Sequence, residues 1–283
     1  MLAHTSPIAH GTFIVGCCAA LAAYGVAWVR TPSAQTPTRS PARLWSWAGG
    51  LVALAVSTAP TAETWAAASF TGHMVQHLLM IVVAAPLLVL ARPVSTVSST
   101  WPWPRSVHHR AASSWWRRTG PWLAPALFLA TLYVTHLTDL YDAALGNQFL
   151  HDVEHLAYVG TACALWSVAT SRGRASAPRR VGAVFAVIGG SALLWVVVLS
   201  ATTPLVPTYA RDLGVEAAID DQRGAASLMW VGGMAITLPL LVVSVWRWAA
   251  AEERIAERVE SVRGSHAGTA SEPDRADHGA GPV

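Results

Sequence analysis

The sequence predicts an all-α integral membrane protein with seven transmembrane helices, its N-terminus outside and its C-terminus in the cytoplasm. Three observations carry that reading. Of 283 residues, 53% are hydrophobic and only 12% are charged, which is a membrane composition. Seven segments approach the run of about 20 apolar residues that a spanning helix needs. Charge then alternates between the connections: seventeen of the nineteen arginines follow the first, third, fifth and seventh segments, and only Arg211 and Arg223 fall on the opposite side. That alternation needs an odd number of spans.

In order, the segments are 11–29, 45–64, 73–91, 121–139, 151–170, 181–203 and 224–246. The first contains Ala20-Leu21-Ala22, which imitates a signal-peptide cleavage site, yet no positive charge precedes it and Arg30 follows it; it reads as an uncleaved helix. The second is the weakest, because Pro60 and Glu63 interrupt its end. Trp28, Trp45, Trp47, Trp246 and Trp248 stand at predicted cytoplasmic boundaries, where interfacial tryptophans belong. The chain therefore divides into an outer N-terminus with the first helix (1–29), a cytoplasmic linker rich in Pro, Ser and Thr (30–44), a six-helix membrane core (45–248) and a cytoplasmic tail (249–283). The tail is expected to extend the last span as a charged helix over 252–263 and to be disordered beyond it. Between the third and fourth spans, Trp101-Pro102-Trp103-Pro104 and Trp115-Trp116-Arg117-Arg118 are expected to lie on anionic headgroups.

Composition also removes chemistries. All nineteen basic residues are arginine, so a lysine Schiff base is excluded. The arginines lie between apolar runs rather than along one polar face, which argues for bilayer orientation and against nucleic acid. Cys17, Cys18 and Cys163 form no CxxC pair and no disulfide framework; they read as small apolar filler.

The histidines sort unevenly on this topology. His4, His10, His73, His77, His136, His151 and His155 fall at or near the outer face, together with nine acids against two arginines, so that face attracts cations. Two segments echo each other: His73-Met74-Val75-Gln76-His77 and His151-Asp152-Val153-Glu154-His155 share the spacing H-x-x-[Q/E]-H. Positions i, i+3 and i+4 share one face of a helix, so each segment presents two imidazoles and a polar oxygen at one membrane depth. The positive end of a helix also favours a neutral ring, the form a metal ligand takes. Met80 continues the stripe of the third segment.

Imidazole suits zinc, copper, iron and nickel, and a nearby thioether pulls toward Cu(I). The expected ligands are His73, His77, His151 and His155, with His136 as a further one and Met80 as a soft contact. Gln76 and Glu154 are expected to orient imidazoles, Asp139 to orient His136, and Asp220 and Asp221 to attract the cation. His4 and His10 are candidates for passing metal in or out. Two alternatives stay open. Paired histidines on facing helices also ligate haem b, although two pairs at one depth crowd two macrocycles. His151 to His155 fits the inverted zinc-protease pattern H-x-x-E-H as well, but Gln76 stands where the matching pair needs a base.

Several motifs together resemble the bacterial cytochrome c oxidase assembly factor CtaG family of the caa-type oxidase branch. The resemblance runs in order through His73-Met74-Val75-Gln76-His77-Leu78-Leu79, Ala84-Ala85-Pro86-Leu87-Leu88-Val89-Leu90 with Pro93, His136-Leu137, Leu140-Tyr141-Asp142-Ala143-Ala144-Leu145, His151 to Leu156, Trp166, Asp221-Gln222-Arg223-Gly224 and Leu228-Met229-Trp230. This chain departs from it at Thr138, where the family pattern has proline, and in lacking a second tryptophan beside Trp166. The resemblance implies a multi-pass bacterial plasma-membrane protein, not an enzyme, that aids assembly of haem-copper oxidase by supplying copper. Its implied partners are oxidase subunits and a copper chaperone. Copper resistance or uptake would leave the same ligand signature.

Overall fold

Prolines start the helices. Pro7, Pro41, Pro60, Pro93 and Pro207 each open one, at a position where the missing N–H has no acceptor inside the helix and the fixed φ is already helical. The computed structural model describes residues 7–31, 40–100, 107–171 and 177–270, and every regular element among them is helical. The expectations for His4, for Trp101 to Pro104 and for the tail beyond 270 lie outside the described residues.

Helix α1 covers Pro7–Arg30, α2 Pro41–Ser57, α3 Pro60–Ala68 and α4 Phe70–Leu78; a π-helical stretch over Leu79–Ala84 joins α4 to α5, Ala85–Ala91. Then follow α6 (Pro93–Thr100), α7 (Val107–Leu137), α8 (Leu140–Gly146), α9 (Gln148–Ala169), α10 (Ala177–Ser200), α11 (Pro207–Leu213) and α12 (Val215–Ala270). The charged stretch 252–263 does continue the last helix, which runs on without a break.

Four of these are long and apolar enough to cross a membrane, His10–Arg30, Phe70–Ser98, Ala177–Ser200 and Val215–Ser261. A fifth is added if Ser114–Leu137 and Leu140–Gly146, bent by 73°, count as one span. The predicted second span does not form as one helix. Pro60 has no N–H to continue the ladder and disfavours helical backbone in the residue before it, so α2 stops at Ser57 after 17 residues and α3 restarts at Pro60. The predicted fifth span is one helix, α9, but its first two turns carry His151, Asp152, Glu154 and His155, which dilute its apolar character.

Aromatic and branched side chains from α4, α7, α9, α10 and α12 fill one core, with Phe70, Met74, Phe128, Tyr141, Tyr158, Trp166, Leu194, Trp195 and Met229 buried within it. Helices α2 and α5 pack together, and α1 lies against α2 and α6. The outer surface keeps Val15, Val52, Leu156, Phe185, Leu193, Val231 and Val242 exposed, as lipid-facing side chains are. At one end of the bundle, Leu90, Ala169, Ala177, Arg180 and Arg247 surround a common cavity. At the other, Asp221 of α12 meets the start of α4, and Asp142 of α8 accepts a hydrogen bond from Thr208 N in α11 at 2.8 Å.

The π-helical stretch follows the His77 turn and frees backbone carbonyls from the i→i+4 ladder. Trp166 of α9 answers one of them, donating from Nε1 to Ile81 O at 2.8 Å, and Tyr24 of α1 donates to Ala91 O at 2.9 Å where α5 ends. Arg92 closes α5 in a left-handed conformation, φ 52°, just before Pro93.

Candidate metal centre

The two histidine pairs sit in matched positions because both helices are capped the same way. Ser69 Oγ accepts from Gly72 N at 3.0 Å at the start of α4, and Asn147 Oδ1 accepts from Phe149 N and Leu150 N at 3.0 and 3.3 Å at the start of α9. His73 and His151 are thus each the fourth residue of a helix. A second acceptor serves α4: Asp221 takes Phe70 N at 2.6 Å and Thr71 N at 3.2 Å. A carboxylate at the positive end of a helix is favourable, and here it holds the helix that carries two of the imidazoles.

Equal spacing on both helices brings the rings together pairwise. Ring centroids lie 5.2 Å apart for His73 and His151, 5.3 Å for His77 and His155, 4.4 Å for His73 and His77, and 4.1 Å for His151 and His155. All four residues are buried, His73 and His77 completely. His73 Nε2 and His77 Nε2 approach to 3.1 Å. Two nitrogens each about 2.0 Å from a tetrahedral ion would stand about 3.3 Å apart, so this gap suits a shared cation as well as an N–H···N hydrogen bond between neutral rings. His73, His77 and His155 offer ligand atoms that all lie within 4.8 Å of one another, and so do Glu63, His151 and His155. His155 belongs to both trios.

The buried ring atoms His73 Nδ1, His77 Nδ1 and His155 Nε2 have no hydrogen-bond partner in the protein. An unpaired buried polar atom is costly; on His73 and His77 it is the ring nitrogen turned away from the Nε2 approach, so the donor set that fits a metal ion is the trio of ligand atoms within 4.8 Å of one another. The same close packing argues against the haem alternative, since rings on facing helices with centroids 5.2 and 5.3 Å apart leave no gap for a macrocycle.

Glu63 reaches the centre from α3. Its Oε1 accepts from Gln76 Nε2 at 2.7 Å, Gln76 Nε2 also donates to Ser57 O at 2.6 Å, and Glu63 Oε2 stands 3.7 Å from His151 Nδ1. Burial pushes the Glu63 carboxyl up to about 7; the Gln76 hydrogen bond acts the other way, and Asp152 adds to the rise. A cavity of about 530 Å³ opens beside these groups, lined by His10, Thr58, Glu63, Met80, Asp152 and His155 among others. It connects His10 and the buried thioether of Met80 to His155, the residue shared by both trios.

Other expected roles are corrected. Gln76 orients Glu63 rather than an imidazole. Glu154 is buried, but neither carboxylate oxygen has a hydrogen-bond partner, so it does not orient a ring. Asp221 is a helix cap, because both its oxygens are taken up by backbone N–H groups of α4, and Asp220 is exposed beside Arg223 at 3.5 Å. Asp139 lies exposed at the corner between α7 and α8, and Leu132 O, at 2.9 Å from Nδ1, is what orients His136. His136 stands apart from both trios: its Nε2 faces Met74 Sδ at 3.4 Å, and Tyr141 and Tyr158 pack between it and the rings of His73 and His77.

The family profile of cytochrome c oxidase caa3 assembly factors matches residues 22–251. The chain belongs to that family. Uncharacterised proteins of Mycobacterium bovis and Mycobacterium tuberculosis are each 24% identical to it over 233 residues, covering 76% of this chain and 35% of theirs. One of Mycobacterium leprae is 25% identical over 238 residues, with the same shares covered. The chain spans about a third, 35%, of the length of these curated relatives. No solved structure matches.

Both trios lie inside the matched region. Sequence reasoning missed Glu63, Met74, Tyr141 and Tyr158 as parts of the site. Glu63 carried a signal: an acid three residues beyond the proline that ends the second apolar run has to find a partner when buried. Met74 carried none, since it sits between two histidines and off their face.

Proposed function

We propose that the protein holds a copper ion, as Cu(I), at the outer end of the bundle and aids its delivery to haem-copper oxidase. His73, His77 and His155 hold the ion, and Glu63 with His151 forms a second set of donors at the cavity side. The observation that carries this reading is the trio of buried rings from two helices whose ligand atoms all lie within 4.8 Å of one another. Membership of the caa3 oxidase assembly family supplies the client class. Copper reaches the site through the cavity at His10 and Met80, handed over by a soluble chaperone, and leaves to an oxidase subunit. No step in this role requires bond chemistry at the protein, and no residue is assigned as catalytic.

The proposal includes a seven-span, multi-pass placement in the bacterial plasma membrane. Helices α1, α2, α4 with α5, α7, α9, α10 and α12 overlap the seven expected segments in order, and four or five of them are long and apolar enough to cross a membrane. Arg30, Arg117, Arg118, Arg179, Arg180 and Arg247 lie at helix ends remote from the paired histidines, which by the positive-inside rule supports an outer position for the candidate centre. Helices α3 and α11 lie outside the spans.

The mixed carboxylate and imidazole trio of Glu63, His151 and His155 favours zinc as a second reading. Purification in detergent, with copper, zinc, iron and haem measured in the wild type and in the His73, His77, His151, His155 quadruple alanine variant, decides between them. Near-stoichiometric copper that the variant loses supports the proposal. Zinc in its place selects the second reading, a Soret band revives the haem alternative, and no metal in either folded protein overturns both metal readings.

A further inference from the structure

His136 and Met74 form a second pocket that neither trio uses. The His136 ring is buried, Met74 fully so, and Trp195 stands edge-on to the imidazole at 5.0 Å while Phe70 tilts over it at 6.2 Å. The position of the ring proton follows from its neighbours. Nδ1 lies 2.9 Å from Leu132 O, which can only accept, so Nδ1 carries the hydrogen. The other tautomer would set a lone pair against that carbonyl. Thr135 Oγ1 at 3.0 Å and Tyr158 OH at 3.3 Å also approach Nδ1; with Thr135 donating to Thr131 O at 2.9 Å and the two hydroxyls bonded to each other, the closer Leu132 carbonyl takes the ring hydrogen.

Nε2 is therefore a bare acceptor, and what it faces at 3.4 Å is the thioether sulfur of Met74, a second acceptor. With the hydrogen on Nδ1, two lone-pair donors meet in an aromatic enclosure, an arrangement that a soft cation between them would satisfy. No carboxylate is hydrogen-bonded to the ring to support a second proton there. With bond lengths of about 2.0 Å to nitrogen and about 2.3 Å to sulfur, a gap of 3.4 Å closes at an angle of about 105° at the ion. The backbone hydrogen bond at Nδ1 is also the arrangement that orients an imidazole for ligation through Nε2. Imidazole with thioether selects a soft monovalent ion over zinc or magnesium.

We propose that His136 and Met74 are a second, softer station for Cu(I), lying on the next face of α4 from the histidine trio. Tyr141 and Tyr158 pack against both stations, with centroids 4.7 Å from His73 and 4.2 Å from His77. The identity of the ion rests on the copper reading above; the existence of the pocket does not. An ion held at the trio moves to the station across this tyrosine wall without crossing solvent.

The test loads full-length protein in detergent with Cu(I) under nitrogen and reads stoichiometry together with copper-edge X-ray absorption. The wild type is expected to bind two ions with a sulfur neighbour. Met74→Leu, close in volume, is expected to bind one and lose the sulfur, and a His73, His77, His155 triple variant to keep one that retains it. In selenomethionine-labelled protein the neighbour becomes selenium, absent in Met74→Leu and present in Met80→Leu, which reads the station without the triple variant. An unchanged spectrum and stoichiometry in Met74→Leu overturns the station. A triple variant that keeps all the wild-type copper overturns the trio instead.

Discussion

Trp166 donates the hydrogen bond on which the turn after the histidines depends. The carbonyl of Ile81 lies in the π-helical stretch, buried, and the indole N–H answers it at 2.8 Å from the neighbouring helix. Trp166→Phe keeps most of the ring and removes the donor. We expect a loss of about 1–3 kcal/mol, the cost of stranding a buried acceptor, read as a lower unfolding midpoint in detergent. An unchanged midpoint would mean that the carbonyl finds another partner. At the same scale, Gln76 and Glu63 act as a unit: the amide holds the carboxyl, and the carboxyl stands toward His151. A reading of the H-x-x-Q-H motif as two ligands and an orienting amide is right about the chemistry of the amide and wrong about what it holds.

Between elements, the position of α4 decides whether the rings meet. Asp221 caps it from α12, 151 residues away in the chain. Asp221→Ala removes the acceptor for two N–H groups and is expected to cost about 0.5–2 kcal/mol and to lower metal occupancy, whereas Asp221→Asn retains a cap and most of both. Equal loss in the two variants would assign Asp221 a role through its charge alone. The corner between α3 and α4 is equally constrained. A Cβ at Gly72 would stand 2.6 Å from Trp65 O, a backbone atom that cannot turn aside, while a Cβ at Gly232 would meet only the end of the Leu78 side chain at 2.6 Å. Gly72→Ala should therefore destabilise by at least the roughly 1–3 kcal/mol typical of overpacking and displace Glu63, and Gly232→Ala should cost less. Comparable unfolding midpoints for the two variants would remove the corner from the account.

For the whole molecule, the two ends of the bundle differ in chemistry: buried histidines and exposed acids at one, arginines at the other. The placement of these ends across the membrane is testable by labelling. In a background without Cys17, Cys18 and Cys163, a cysteine at exposed Asp212 should react with an impermeant maleimide in intact cells. One at exposed Glu253 should react only after lysis. The reverse pattern would put the metal centre on the cytoplasmic side and remove delivery to an outer copper centre from consideration.

Helicity, apolar character and the pairing of histidines at i and i+4 were legible in the residues, because each depends on local periodicity: 3.6 residues per turn puts His73 with His77, and His151 with His155, on one face whatever the rest of the chain does. The break of the second apolar run was half legible, since Pro60 was visible but not that α3 would turn Glu63 back onto the centre. Tertiary structure alone decided the rest. The sequence placed His136 with the other candidate ligands by depth, yet the rotation of α7 turns its Nε2 onto Met74. Asp221 looked like part of an acidic surface until packing put the N-terminus of α4 against it. Depth along a helix follows from counting residues, whereas the direction a side chain faces across the bundle follows from how the helices rotate to bury their largest groups, and no local pattern records that rotation.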